Sequence, residues 1–178
     1  MDVPHQGNGT AIGWEVYPQG LGDFLNWASE TYSGDLPIYV TENGLASNDT
    51  ITLDGVSDPD RLAFLQGHFD AVQTAIKRGA PVKGYFVWSL LDNFEWALGY
   101  DARFGIVHVD YETMKRTPKS SFYALQDALK TCSEDPIRKR RPMPTFDTTQ
   151  RNANTIAAIT GGSQGLGLAV ARQLMAEG

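Results

Sequence analysis

The chain has 178 residues, 15 Lys+Arg against 21 Asp+Glu for a net charge of −6, and 42% hydrophobic residues. This is an ordinary globular composition, long enough for one sizeable core. Its 18 glycines and 9 prolines follow no period, which excludes collagen-like and low-complexity architectures. A single cysteine, Cys132, forms no internal bridge, the first residues lack a leader pattern, and the most apolar run, 85–91, is far short of a membrane span. The expectation is a cytoplasmic protein without membrane association.

In chain order, residues 18–32 carry Leu21, Phe24, Leu25 and Ala28 at helical spacing and stop before Gly34, which predicts an amphipathic helix. Residues 37–41 are rich in β-formers and are followed by Glu42-Asn43-Gly44, where Asn-Gly signals a turn, so a buried strand is expected. Asp58-Pro59 supplies a cap and a first-turn proline for a second helix through Leu62, Leu65, Phe69, Val72 and Ile76 to Gly79. Residues 82–91 are apolar on both faces, as suits a parallel strand covered by helices. Thr117-Pro118 opens a third helix through Phe122, Leu125 and Leu129. Helix, strand, helix, strand, helix is the order of an α/β chain with parallel strands, whose site forms just beyond the strands' carboxyl ends.

Both predicted strands carry polar groups there. Thr41-Glu42-Asn43-Gly44 follows the first, and Trp88-Ser89 with the loop Asp92-Asn93-Phe94-Glu95-Trp96 follows the second. Carboxylates accept hydrogen bonds from sugar hydroxyls, and indole rings lie flat on the C–H face of a pyranose. Carboxylates and indoles together at strand ends suit a carbohydrate. Trp14, Glu15, Trp27 and His68 are read as packing residues, and His5 and His108 show no metal-ligand spacing, so no metal is expected.

Three motifs in order, 13–18 (Gly-Trp-Glu-Val-Tyr-Pro), 39–44 (Tyr-Val-Thr-Glu-Asn-Gly) and 85–96 (Tyr-Phe-Val-Trp-Ser-Leu-Leu-Asp-Asn-Phe-Glu-Trp), resemble glycoside hydrolase family 1, the retaining β-glucosidases. The resemblance runs from about residue 10 to about residue 129 and implies the carboxy-terminal part of a (β/α)8 TIM barrel. It implies Glu42 as the catalytic nucleophile, forming a covalent glycosyl-enzyme intermediate. It implies Trp88 as the platform under the sugar, Glu95 as the acceptor from hydroxyls 4 and 6, Trp96 as the donor to hydroxyl 3, and Phe104 as a pocket wall. The implied substrate is a β-glucoside or β-galactoside, and no cofactor is needed. Relatives acting on 6-phosphorylated sugars lack a carboxylate at the place of Glu95, which favours an unphosphorylated substrate. The family's acid/base lies in an Asn-Glu-Pro motif, and this sequence contains no Glu-Pro dipeptide. Retaining hydrolysis needs that second carboxyl group roughly 5–5.5 Å from the nucleophile. The chain alone is therefore expected to be inactive, its complement being an amino-terminal barrel fragment.

Composition changes near Cys132: the net charge is −8 over residues 1–130 and +2 over 131–178. Three segments are expected: 1–132 as the glycosidase portion, 133–153 as a linker, and 154–178 as a separate unit. The linker holds Pro136, Pro142, Pro144 and Arg138-Lys139-Arg140-Arg141, a basic run too short to indicate nucleic acid. Beyond it, a predicted strand, a glycine-rich turn and a helix resemble the opening of a short-chain dehydrogenase/reductase, through Thr160, Gly161, Gly165 and Gly167. The resemblance implies a terminal Rossmann-like βα unit in which Gly161, Gly165 and Gly167 approach the pyrophosphate of NAD(P), if the unit were completed. Two other functions remain open at this point, a nicotinamide-dependent oxidoreductase portion and a noncatalytic sugar-binding module built on Trp88, Glu95 and Trp96.

Overall fold

The computed structural model describes residues 9–133. The predicted linker beyond Ser133 and the whole glycine-rich unit, Gly161, Gly165 and Gly167 included, lie outside the described residues, as does His5.

Helix α1 (Pro18–Ala28) starts on a proline that needs no N–H partner in the first turn, and it continues as a wider π-type turn, Ser29–Ser33. There the Gly34 N–H donates to the Ser29 carbonyl at 2.8 Å, and Gly34 takes a left-handed φ of 54° that ends the helix. Strand β1 (Ile38–Asn43) runs two residues past its predicted end, so Glu42 and Asn43 belong to the strand and not to a turn. A small antiparallel hairpin, β2 (Thr50–Thr52) and β3 (Gly55–Ser57), precedes α2 (Pro59–Lys77). Strand β4 (Val82–Val87) follows, then a single 3-10 turn at Trp96–Leu98. A second antiparallel hairpin, β5 (Val107–Val109) and β6 (Arg116–Pro118), leads into α3 (Ser120–Ser133).

β1 and β4 pair in parallel, from Ile38 opposite Val82 to Asn43 opposite Val87, with α2 as the crossover. Leu25, Val40, Val72, Ala75, Ala80 and Val82 form one buried cluster, joining α1 and α2 to one face of the strand pair. Leu45, Phe64, Leu65, Ile106 and Val107 form a second, which seats the chain after β1 on α2 and β5. Each valine, leucine, isoleucine or phenylalanine among them contributes about 1.5–3 kcal/mol by leaving water.

Three expectations need correction. The strand predicted over 82–91 ends at Val87, because beyond it the backbone bonds to another segment: the Ser89 N–H donates to the Phe104 carbonyl and the Ile106 N–H to the Ser89 carbonyl. Nor are both faces covered. Tyr39 on β1 is 53% exposed and Phe86 on β4 58%, so among the described residues helices pack only on the opposite face. Finally, Thr117-Pro118 does not open a helix. These residues pair with His108 and Val107 as β6, and α3 begins after them, where the buried Asp58 carboxylate accepts the Ser121 N–H at 2.9 Å. No helix among the described residues is long and apolar enough to cross a membrane.

Candidate active site

The parallel strands end together. Asn43 lies opposite Val87, and the Trp88 N–H donates to the Asn43 carbonyl at 2.9 Å. One end of the pair thus presents Glu42, which is exposed, next to the start of the loop that carries Trp88, Glu95 and Trp96. Asn43 is held from the side, because the Tyr85 hydroxyl donates to its Oδ1. Burial pushes the Tyr85 phenol far up, so it stays protonated as that donor. Gly44 follows, and a Cβ there would lie 1.6 Å from the Trp88 carbonyl oxygen. The glycine of the Asn-Gly pair is therefore required by close strand approach and not by a turn.

Trp88 is partly buried and packs against the cluster of Ala46, Ala102 and Phe104, as does Ile12. Phe104 is only 4% exposed and forms part of that support. Trp14, read from sequence as a packing residue, is 59% exposed with its ring centroid 6.2 Å from that of Phe104. It therefore stands at the same rim, and the Gly-Trp-Glu motif was the signal that could have placed it there. Glu95 donates its backbone N–H to the Gly99 carbonyl at 2.7 Å. Its side-chain Oε2 is buried and has no hydrogen-bond partner. An acceptor in that state suits a ligand hydroxyl, since leaving it unmet costs about 1–3 kcal/mol. Trp96 opens the 3-10 turn with φ of 49° and is 66% exposed.

Beneath these residues lies a buried charge network that composition and spacing did not indicate. Arg61 of α2 donates to Asp49 at 2.8 Å and to Asp58 at 2.6 Å. Its second terminal nitrogen donates to the Arg103 carbonyl at 2.7 Å. Lys119 donates to Asp92 at 2.8 Å and also to Asp49. Arg103 donates to Asp92 at 2.8 Å and to the Val109 carbonyl at 2.9 Å. Asp92 further accepts the Gly105 N–H at 2.9 Å; a Cβ on Gly105 would sit 2.1 Å from the Asp92 nitrogen. Burial alone would raise the Asp49 carboxyl, but Arg61 and Lys119 outweigh it and hold the pKa below the usual carboxylate value.

The fold also groups Asp49, Asp92 and His108 so that one ligand atom of each lies within 4.8 Å of the others. Sequence spacing gave no sign of this, yet the donor set does not fit a metal ion. Three carboxylates, Asp49, Asp58 and Asp92, already meet Arg61, Arg103 and Lys119, and a dication placed among these cations, two of them fully buried, would meet strong repulsion. His108 has its Nδ1 3.5 Å from Asp92. Burial, then the Arg103 charge, keeps that imidazole below its ordinary pKa.

The sequence profile described as Glycosyl hydrolase family 1 matches residues 1–133. Beta-glucosidase A from Thermotoga maritima is 49% identical over 122 residues, which are 68% of this chain and 27% of that protein. A 6-phospho-beta-galactosidase from Streptococcus equi subsp. zooepidemicus is 44% identical over 135 residues, 75% of this chain and 28% of that one. Among solved structures, the family 1 β-glucosidase from Thermotoga maritima in complex with isofagomine lactam superposes with a TM-score of 0.69 at 46% identity. The match covers 72% of this chain and 29% of that one. The chain thus spans under a third of the length of these relatives.

Proposed function

The chain belongs to glycosyl hydrolase family 1, and from that premise we propose that it carries the nucleophile half of a retaining β-glucosidase site on part of a TIM barrel. Glu42 attacks the anomeric carbon of a β-glucoside as the bond to the aglycone oxygen breaks and that oxygen takes a proton from a second carboxyl group; the resulting glycosyl-enzyme ester is then hydrolysed by water that gives a proton back to the same group. Trp88, backed by Phe104, carries the sugar ring; Glu95 accepts from its hydroxyls and Trp96 donates its indole N–H to it. The chemistry needs no cofactor, because two carboxyl groups supply nucleophile and proton. In the family the second carboxyl group belongs to a barrel portion outside residues 1–178, so the active form needs that portion as well. Without general acid assistance the rate falls by about 10²–10⁴, before lost substrate binding is counted.

The observation that carries this reading is the joint ending of β1 and β4, which brings the Glu42 strand end against Trp88 through the Trp88 N–H to Asn43 carbonyl bond. The orphaned Oε2 of Glu95 supports it. Intact-protein mass spectrometry with a slow 2-fluoro-glucoside tests it, the chain being mixed with the remaining barrel portion of a family 1 enzyme. One glycosyl adduct is expected on the chain and none on Glu42→Gln. A mixture that never acquires the adduct overturns the proposal.

Glu95 also sets the substrate class. Relatives of similar identity act on both kinds of sugar, to judge from a β-glucosidase and a 6-phospho-β-galactosidase, so identity does not discriminate. Charge does. A carboxylate about 4 Å from a phosphate repels each negative charge by about 4 kcal/mol near a protein surface. The substrate is therefore an unphosphorylated gluco- or galacto-configured glycoside.

A further inference from the structure

We propose that Lys119 is a positioning residue that locks the loop following Glu42 to the loop carrying Glu95. The proposal rests on the catalytic reading of those two glutamates. Lys119 lies 70 residues after Asp49 and 27 after Asp92, and its ammonium donates to both. Asp49 closes the segment that leaves Glu42 through Gly44. Asp92 lies three residues before Glu95 and is fully buried, as is Lys119. The ammonium is the tie between two chain segments that β1–β4 pairing no longer holds together, since the last paired residues are Asn43 and Val87.

The rest of the network fixes the same two loops from other directions. Arg61 grips Asp49 and the Arg103 carbonyl. Asp92 accepts the Gly105 N–H directly after Phe104, and Arg103 directly before Phe104 donates to Asp92. The backbone of the two loops meets there too, the Ser47 N–H donating to the Arg103 carbonyl at 3.3 Å, and within the Glu95 loop the Ser89 N–H donates to the Phe104 carbonyl at 3.2 Å. Three buried carboxylates with three cations add little net stability over an apolar core of equal volume. Each carboxylate in the network meets a cation, however, and of the Arg61 guanidinium only Nε lacks a partner; such a network favours one arrangement, because any shift of a loop leaves a buried charge unmet. Lys119 is the member that reaches both loops with one atom.

Amide hydrogen exchange on the full chain tests the proposal, comparing Lys119→Met with the unsubstituted protein. The expected result is exchange accelerated by about tenfold or more at Ser47, Ser89, Asp92 and Gly105, with amides in α1 and in the middle of α2 unchanged. Equal acceleration in α1 and α2 assigns Lys119 to general stability and overturns the proposal. Unchanged exchange in the two loops overturns it as well. Should Lys119→Met fail to fold, Asp49→Asn cuts one arm of the tie and is read the same way at Ser47 and Ser89. The two proposals fail separately. Absence of the Glu42 adduct in the unsubstituted mixture removes the catalytic reading, whereas the exchange pattern decides the tie on its own.

Discussion

Gly44 shows how little room the site leaves at a single residue. A methyl group there would overlap the Trp88 carbonyl, so Gly44→Ala must push the two strand ends apart. A loss of about 1–3 kcal/mol is expected from overpacking, read as a lower midpoint in denaturant unfolding, together with weaker sugar binding in the assembled enzyme. Glu95 makes a sharper chemical distinction. With the remaining barrel portion present, the unphosphorylated 2-fluoro-glycoside labels Glu42 and its 6-phosphorylated counterpart does not. Labelling by both at similar rates contradicts the assigned substrate class. Protons are a third probe. His68 stacks on Phe64 at 3.8 Å between centroids, with Nδ1 2.7 Å from the Phe64 carbonyl. Burial keeps its pKa below the ordinary 6.5, and the carbonyl only partly opposes this. The folded imidazole thus binds fewer protons than the unfolded one, so its contribution is complete above 6.5 and is lost as pH falls below it. Asp49, held below 3.8, adds a second loss as pH falls through that value. Melting followed from about pH 8 down to about pH 5 should show the first decline, and His68→Gln should flatten it.

Among the elements, those with a period or a cap of their own were legible. α2 follows from the first-turn Pro59 and its apolar spacing, and β1 from its run of β-formers, because both are decided by neighbours in sequence; the cap expected of Asp58 is not made, since its carboxylate meets Arg61 and Ser121 and not the first N–H groups of α2. The β2–β3 hairpin had a signal that went unused, Asp54-Gly55 between Thr50 and Ser57. The β5–β6 hairpin had none. Its turn is built on Asp110, which accepts the N–H groups of Glu112 and Thr113, and the left-handed position is filled by Met114, with φ of 59°, where glycine or asparagine is usual. Glu42, Trp88 and Glu95 can be proposed for the site from sequence because they sit in contiguous motifs. The network of Arg61, Asp92 and Lys119 cannot, because their partners lie up to 70 residues away. Asp58 links two elements at once, meeting Arg61 in the first turn of α2 and the Ser121 N–H and hydroxyl in that of α3. Asp58→Ala leaves Arg61 short of one buried partner and α3 uncapped. A cost of about 3–5 kcal/mol is expected, visible in thermal melting followed by circular dichroism. A change within about 0.5 kcal/mol contradicts the network described.

At the scale of the whole molecule, the described residues bury one face of a two-stranded parallel sheet and leave Tyr39 and Phe86 in water on the other, with Leu90 61% exposed nearby. Unpaired strand edges beside apolar surface favour association. Sedimentation of the chain alone should therefore show mass rising with concentration, and addition of the remaining barrel portion should replace those species with a defined complex. A strictly monomeric chain at all concentrations contradicts this. The tryptophans give the same molecule an optical readout. Trp14, Trp27 and Trp96 are 59%, 49% and 66% exposed, whereas Trp88 is less exposed than any of them and packs against the cluster that holds Phe104. Iodide should therefore quench three emitters more readily than the fourth and leave a bluer residual glow, so that any molecule covering Trp88 can be watched by colour without any attached dye.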